Sequence, residues 1–195
     1  MFIKPTEFKK LAKSAWETGT LVLSMSEGMM LIEGSSWVIA YQVDTIPNRI
    51  KAILVEMCGE LPSDGQTFRA CKGQANQYEF EQTVLWGWIE ETVNSARYEA
   101  DVTRAAWIKK SGRMSRVVNA GTTTMMIAQE VLNTIEKSAI EEWEDDMRGP
   151  FLFRNQGLYW ENSYGTAIFL RSDTADDRDE IEYLNMLNGL EVADQ

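Results

Sequence analysis

Few side chains in this sequence could act as nucleophile, proton carrier or metal ligand near neutral pH. Histidine, the commonest general base and transition-metal ligand, is absent. That removes Ser-His-Asp, Cys-His and HExxH chemistry. The only cysteines, Cys58 and Cys71, stand 13 residues apart and form no CxxC pair, so they read as reduced structural thiols and not as a disulfide framework or a zinc site. Neither a GxxxxGKS/T phosphate loop nor a GxGxxG turn occurs. Glu7-Phe8-Lys9 carries the ExK pattern of some nuclease sites, but no aspartate precedes it. The expectation is a protein that is not an enzyme, with no catalytic residue, no metal site and no cofactor.

Charge is the remaining chemistry, and it is segregated along the chain. The net charge is −11, yet residues 1–129 hold 14 acids and 14 bases, whereas residues 130–195 hold 16 acids and 5 bases. Inside the neutral part, residues 102–129 carry Arg104, Lys109, Lys110, Arg113 and Arg116 without one acid. The acidic part concentrates Glu141, Glu142, Glu144, Asp145 and Asp146, then Asp173, Asp176, Asp177, Asp179 and Glu180. A field divided in this way steers a charged partner to one surface and repels it from another.

The elements that must position these charges follow from hydrophobic spacing. Phe8, Leu11, Ala12, Ala15 and Trp16 predict an amphipathic helix over 6–17, with Lys9, Lys10 and Lys13 off its stripe. Strand-like runs at 21–25, 29–32 and 37–43 are separated by Glu27-Gly28 and Gly34-Ser35-Ser36 turns. A second helix is capped by Asp44 or Thr45, has Pro47 in its first turn, buries Ile50, Ile53, Leu54 and Met57, and exits at Gly59. A strand at 66–71, a helix near 79–94 and a hairpin of 97–108 with 114–119 come next. After Gly121 the threonines 122–124 are expected to cap a long helix striped by Met125, Ala128, Val131, Leu132 and Ile135. Gly149-Pro150 is expected to break the chain before strands at 151–154, 158–161 and 166–171. A last helix near 176–188 turns Ile181, Leu184 and Leu187 inward and closes at Gly189.

Residues 21–58 lie on residues 150–187 at a constant offset of 129, with Leu23, Gly28, Ile39, Asp44, Thr45, Arg49 and Met57 recurring. The order of helix, three strands and helix is read in both stretches. The fold class is therefore α+β, built from two related helix, three-strand-meander, helix units with an extra helix between them. The first unit spans 1–120 with its insert near 79–94; the second, partial and acidic, spans 121–195.

The first unit resembles DNA sliding clamps, specifically the first domain of bacterial polymerase clamps. The residues that carry the resemblance are Met1 to Lys4, the helix from Thr6, the Glu27-Gly28 turn, Thr45-Ile46-Pro47-Asn48-Arg49, and Gly59-Glu60-Leu61-Pro62 with Gly65. It covers residues 1–70, and residues 120–188 in pattern only. The opening residues, Ile3 to Lys10, also look like small proteins of prophage replication modules, which implies a phage or mobile-element origin. In clamps, helices present Lys and Arg to phosphates while an acidic exterior keeps DNA off, so the resemblance implies DNA contact through Lys9, Lys10, Lys13, Arg49 and Lys51. This sequence departs from the pattern in its second unit, where Lys137 stands alone on the first helix and the last helix is acidic.

Two functions are expected from these readings. One is a non-catalytic, clamp-like accessory of DNA metabolism, with the cations above and those of 102–129 as DNA-binding candidates. The alternative is an acidic inhibitor, a DNA mimic or anti-CRISPR type of protein, whose carboxylates between 141 and 180 bind an enzyme that handles nucleic acid. Either way the partner is DNA or a DNA-handling protein, a homo-oligomer is left open, and neither a membrane nor a small-molecule substrate is expected. Ordinary globular composition, 44% hydrophobic and 25% charged, together with the absence of an apolar run long enough for a signal peptide or a membrane span, places the protein in the cytoplasm.

Overall fold

In a computed structural model, the structure describes residues 3–78, 89, 91, 97–135, 147–153, 156–173 and 178–191. The fold is mixed α+β, with a seven-stranded and a three-stranded antiparallel sheet.

Helix α1 (Pro5–Thr18) begins on a proline, whose fixed φ suits the first helical position. It buries Phe8, Leu11, Ala12 and Ala15 along one stripe. Each fully buried large apolar side chain of this kind contributes about 1.5–3 kcal/mol. Gly19 ends the helix at φ 69, a left-handed conformation that lets Thr20 N–H donate to the Ala15 carbonyl at 2.8 Å. Strands β1 (Leu21–Ser26), β2 (Met29–Glu33) and β3 (Trp37–Gln42) form the expected meander. Helix α2 (Asn48–Cys58) buries Ile50, Ile53 and Leu54 and ends at Gly59. Neither Asp44 nor Thr45 caps it: both lie in a short 3-10 turn, Pro47 occupies the capping position, and the Thr45 hydroxyl donates to the Gln42 carbonyl. Strand β4 (Thr67–Ala70) then pairs with β1.

The hairpin is formed by β5 (Asp101–Ile108) and β6 (Met114–Ala120), and β7 (Thr123–Ala128) adds to it. The long helix expected after Gly121 is therefore corrected. Residues 123–128 are a strand paired with β6, and only α3 (Gln129–Leu132) is helical before residue 135. Met125, Met126, Ile127 and Ala128 are all buried, a run apolar on both faces that a strand between two layers accommodates. Strands β8 (Met147–Phe153), β9 (Gly157–Asn162) and β10 (Ala167–Arg171) form the second meander. Gly149-Pro150, expected as a breaker, lies inside β8, where the register with β9 shifts between Arg148 and Phe151 and absorbs it.

Helix α4 (Arg178–Glu191) continues past Gly189, and its buried face is turned from the expected one. Ile181 is 49% exposed, while Glu180 is buried and Tyr183 stacks on Trp107. The helix near 79–94 lies outside the described residues except for Ile89 and Glu91.

The seven-stranded sheet runs β4-β1-β2-β3-β10-β9-β8, so the two meanders meet edge to edge where β3 pairs with β10, from Trp37↔Leu170 to Ala40↔Ala167. One face of this sheet packs α1, α2 and α3 in a cluster that includes Phe8, Leu54, Val131, Ile39 and Trp160, and Val118 and Ile127 of the second sheet join it. The opposite face carries a smaller cluster of Phe151, Tyr159 and Phe169 with Leu31, Ala40 and Ile89. The offset of 129 holds from β3 to β10, since Ile39 and Ile168 both face the helices and Ala40 and Phe169 both face away. It slips by one in β9: Met30 and Ile32 correspond in facing to Leu158 and Trp160. Gly157 suits that strand because its backbone lies close against β10, and a Cβ there would run into the Leu170 carbonyl.

Candidate nucleic-acid interface

Helices α1 and α2 pack side by side and are bridged by Lys9 Nζ to Glu56 Oε2 at 2.7 Å. The five cations expected there stand along these helices, exposed at Lys9, Lys10, Lys13 and Arg49 and half-buried at Lys51, with Arg49 and Lys51 on opposite flanks of the α2 stripe, and three carboxylates, Glu7, Glu17 and Glu56, stand among them. Lys10 is held by Glu7 at 2.8 Å one turn away. Glu17 is held by Lys72 at 2.8 Å, and that hydrogen bond keeps its carboxyl below the usual range. Lys13, Arg49 and Lys51 form no ion pair among the described residues. Among the described residues, these three cations of α1 and α2 have no ion pair to break before meeting a phosphate.

The acid-free run of 102–129 divides into two groups. Lys109 is buried, with Nζ at 3.4 Å from Asp173 Oδ2 and 3.5 Å from Glu180 Oε1, and the Ser115 hydroxyl donates to the same Asp173 oxygen at 2.7 Å. Lys110 stands 3.7 Å from Asp179 and Arg113 2.8 Å from Glu130. Three bases of the run thus meet carboxylates of the acidic third of the chain, and the segregation seen along the sequence is partly cancelled in space. Arg104 and Arg116 form the other group: they line a cavity beside Lys4 and have no carboxylate partner among the described residues. Lys4 carried no sequence signal for this place, because the bridge Ile3↔Ile135 is what brings it there.

Among the partner-binding candidates, Asp173, Asp179 and Glu180 are the ones engaged as above. Glu141, Glu142, Glu144, Asp145, Asp146, Asp176 and Asp177 lie outside the described residues, as does Lys137. Of the thiols, Cys58 is half-buried, and burial, helped by the nearby Glu60 charge, pushes it up to about 11. Such a group is a poor nucleophile at neutral pH. Among the described residues no three Cys, Asp or Glu side chains are placed to hold a metal ion, and no described helix is long and apolar enough to cross a membrane.

No family model matches the chain, and no curated protein does either. Among solved structures, a candidate DNA polymerase III beta subunit from Eubacterium rectale is similar to it over 93% of this chain and 67% of its own, with 10% identity and a TM-score of 0.38.

Proposed function

We propose that the chain is a non-catalytic, clamp-like accessory of DNA metabolism that meets the phosphate backbone through the outward face of α1 and α2. The observation that carries this reading is the seam: two antiparallel three-stranded meanders, each followed in the chain by a helix, join through β3 and β10 into one sheet. That is the arrangement expected of two related units, as the internal repeat implies. The cations on the first unit's helices supply sequence-independent contacts, because releasing counterions from phosphates needs charge and no base-specific geometry. The acidic-inhibitor alternative gains nothing from the described carboxylates, since Asp173, Asp179 and Glu180 are turned to bases of the same chain.

The test is a salt titration of duplex DNA binding. Reversing Lys13, Arg49 and Lys51 to Glu should weaken association and flatten its salt dependence, by about 0.9 in the slope for each phosphate no longer neutralised. Reversing Lys9 and Lys10 should do less per residue, because each is already held by a carboxylate. A wild-type protein with no salt-dependent affinity for duplex DNA would overturn the reading.

A further inference from the structure

The two arginines left over from the internal charge pairing converge on one cavity of about 580 Å³. That volume falls in the range of small-molecule sites, roughly 300–1,000 Å³. A β-bulge builds its wall. The register between β5 and β6 jumps between Val102 and Ala106, and within the jump the Thr103 hydroxyl replaces ladder bonds, donating to the Val117 carbonyl at 2.9 Å and accepting from Ala105 N–H at 3.2 Å. The carbonyls of Thr103 and Arg104 are thereby left for Arg116, whose Nη1 donates to them at 3.3 and 3.4 Å. Its Nε donates to Gln129 Oε1 at 3.1 Å, and Gln129 is in turn braced by donating to Asn133 Oδ1 at 2.8 Å. Bulges commonly re-aim a side chain in this way.

Every acceptor that holds Arg116 is neutral, so its charge is fixed in place and not cancelled. Nη2 is not used in these bonds. Arg104 and Lys4 line the same cavity, again without an ion pair among the described residues, and among those residues the single carboxylate on the lining is Asp101. Leu132 and Ile135 supply an apolar floor. Three cations against one acid among the described lining residues, with one guanidinium preset to donate, is the complement of a phosphate dianion.

We propose that this cavity binds a phosphomonoester of nucleotide size, whether a free nucleotide or the 5′-phosphorylated end of a DNA strand. The inference uses none of the α1–α2 cations and stands apart from the clamp-like reading. Isothermal titration of the full chain with dAMP and deoxyadenosine, and with one oligonucleotide carrying either a 5′-phosphate or a 5′-hydroxyl, tests it. The phosphorylated member of at least one pair should bind more tightly, and which pair responds identifies the source of the phosphate. Arg104→Gln and Arg116→Gln should each weaken that binding by about tenfold or more, the scale of a charge-assisted hydrogen bond. Asp101→Asn should tighten it. Arg104 is exposed, so its variant stays informative if the Arg116 variant fails to fold. Absence of binding by all four probes, equal binding within both pairs, or affinity indifferent to Arg104→Gln would overturn the proposal.

Discussion

Tyr41 is 2% exposed, and its hydroxyl has no hydrogen-bond partner among the described residues. Burial therefore holds that hydroxyl well above the ordinary tyrosine range. The unfolded chain ionises such a tyrosine near pH 10, whereas the folded chain resists, so the contribution of this site is intact below about pH 10 and is lost as pH rises beyond it. Tyr41→Phe should raise stability by about 1 kcal/mol at pH 7, because an unsatisfied buried hydroxyl disappears while the ring stays. The advantage should widen above pH 10, as read by urea unfolding at two pH values; a variant less stable than wild type would show that a bound water satisfies the hydroxyl. Nothing in the sequence set Tyr41 apart from the other tyrosines. Lys109 likewise read as one more base in an acid-free run, and only a strand pairing and a helix docking more than 60 residues later in the chain put it beside Asp173 and Glu180.

At the level of elements, the local pattern located every strand of both meanders and the helices α1 and α2, because in each a 2.0 or 3.6 period was confined between turn residues. It failed at 122–135. There Met125, Ala128, Val131, Leu132 and Ile135 fit a helical period, but the buried run 125–128 fits a strand equally well, and pairing with β6 decided the outcome. The orientation of α4 was hidden for a related reason. Its inner face is set by Glu180 reaching Lys109 and by Tyr183 stacking on Trp107 at 4.9 Å, two polar-looking positions that no hydrophobic stripe would mark. This contact staples α4 to the hairpin. Lys109→Met should destabilise the protein by about 3–5 kcal/mol, since it takes the Lys109 charge away from the buried Glu180 and the half-buried Asp173. Combining it with Asp173→Asn and Glu180→Gln should recover part of the loss. Denaturant unfolding of the three proteins measures both steps, and a loss below about 1 kcal/mol for the single variant would mean that water already reaches the cluster.

On the scale of the whole molecule, the seam between β3 and β10 governs when the fold can be completed. Residues 37–40 meet residues 167–170, so closing the sheet means closing a loop of well over a hundred residues, at an entropic cost of about 4 kcal/mol by the chain-length scaling. During synthesis, β3 leaves the ribosome long before its partner exists. At about 5–20 residues per second the wait is on the order of 6–25 s, and throughout it Trp37, Val38, Ile39 and Ala40 present a bare, apolar, unguarded edge. A chain stopped after residue 120 would be held permanently in that interval. It should appear in the void volume of a sizing column or in the pellet, while the full chain elutes as a discrete species; a soluble, cooperatively unfolding 1–120 fragment would show that the first meander needs no partner. The same delay makes the nascent chain a client for whatever chaperone first meets that edge, and it makes a second nascent copy on the same message, exposing an identical edge, its nearest competitor.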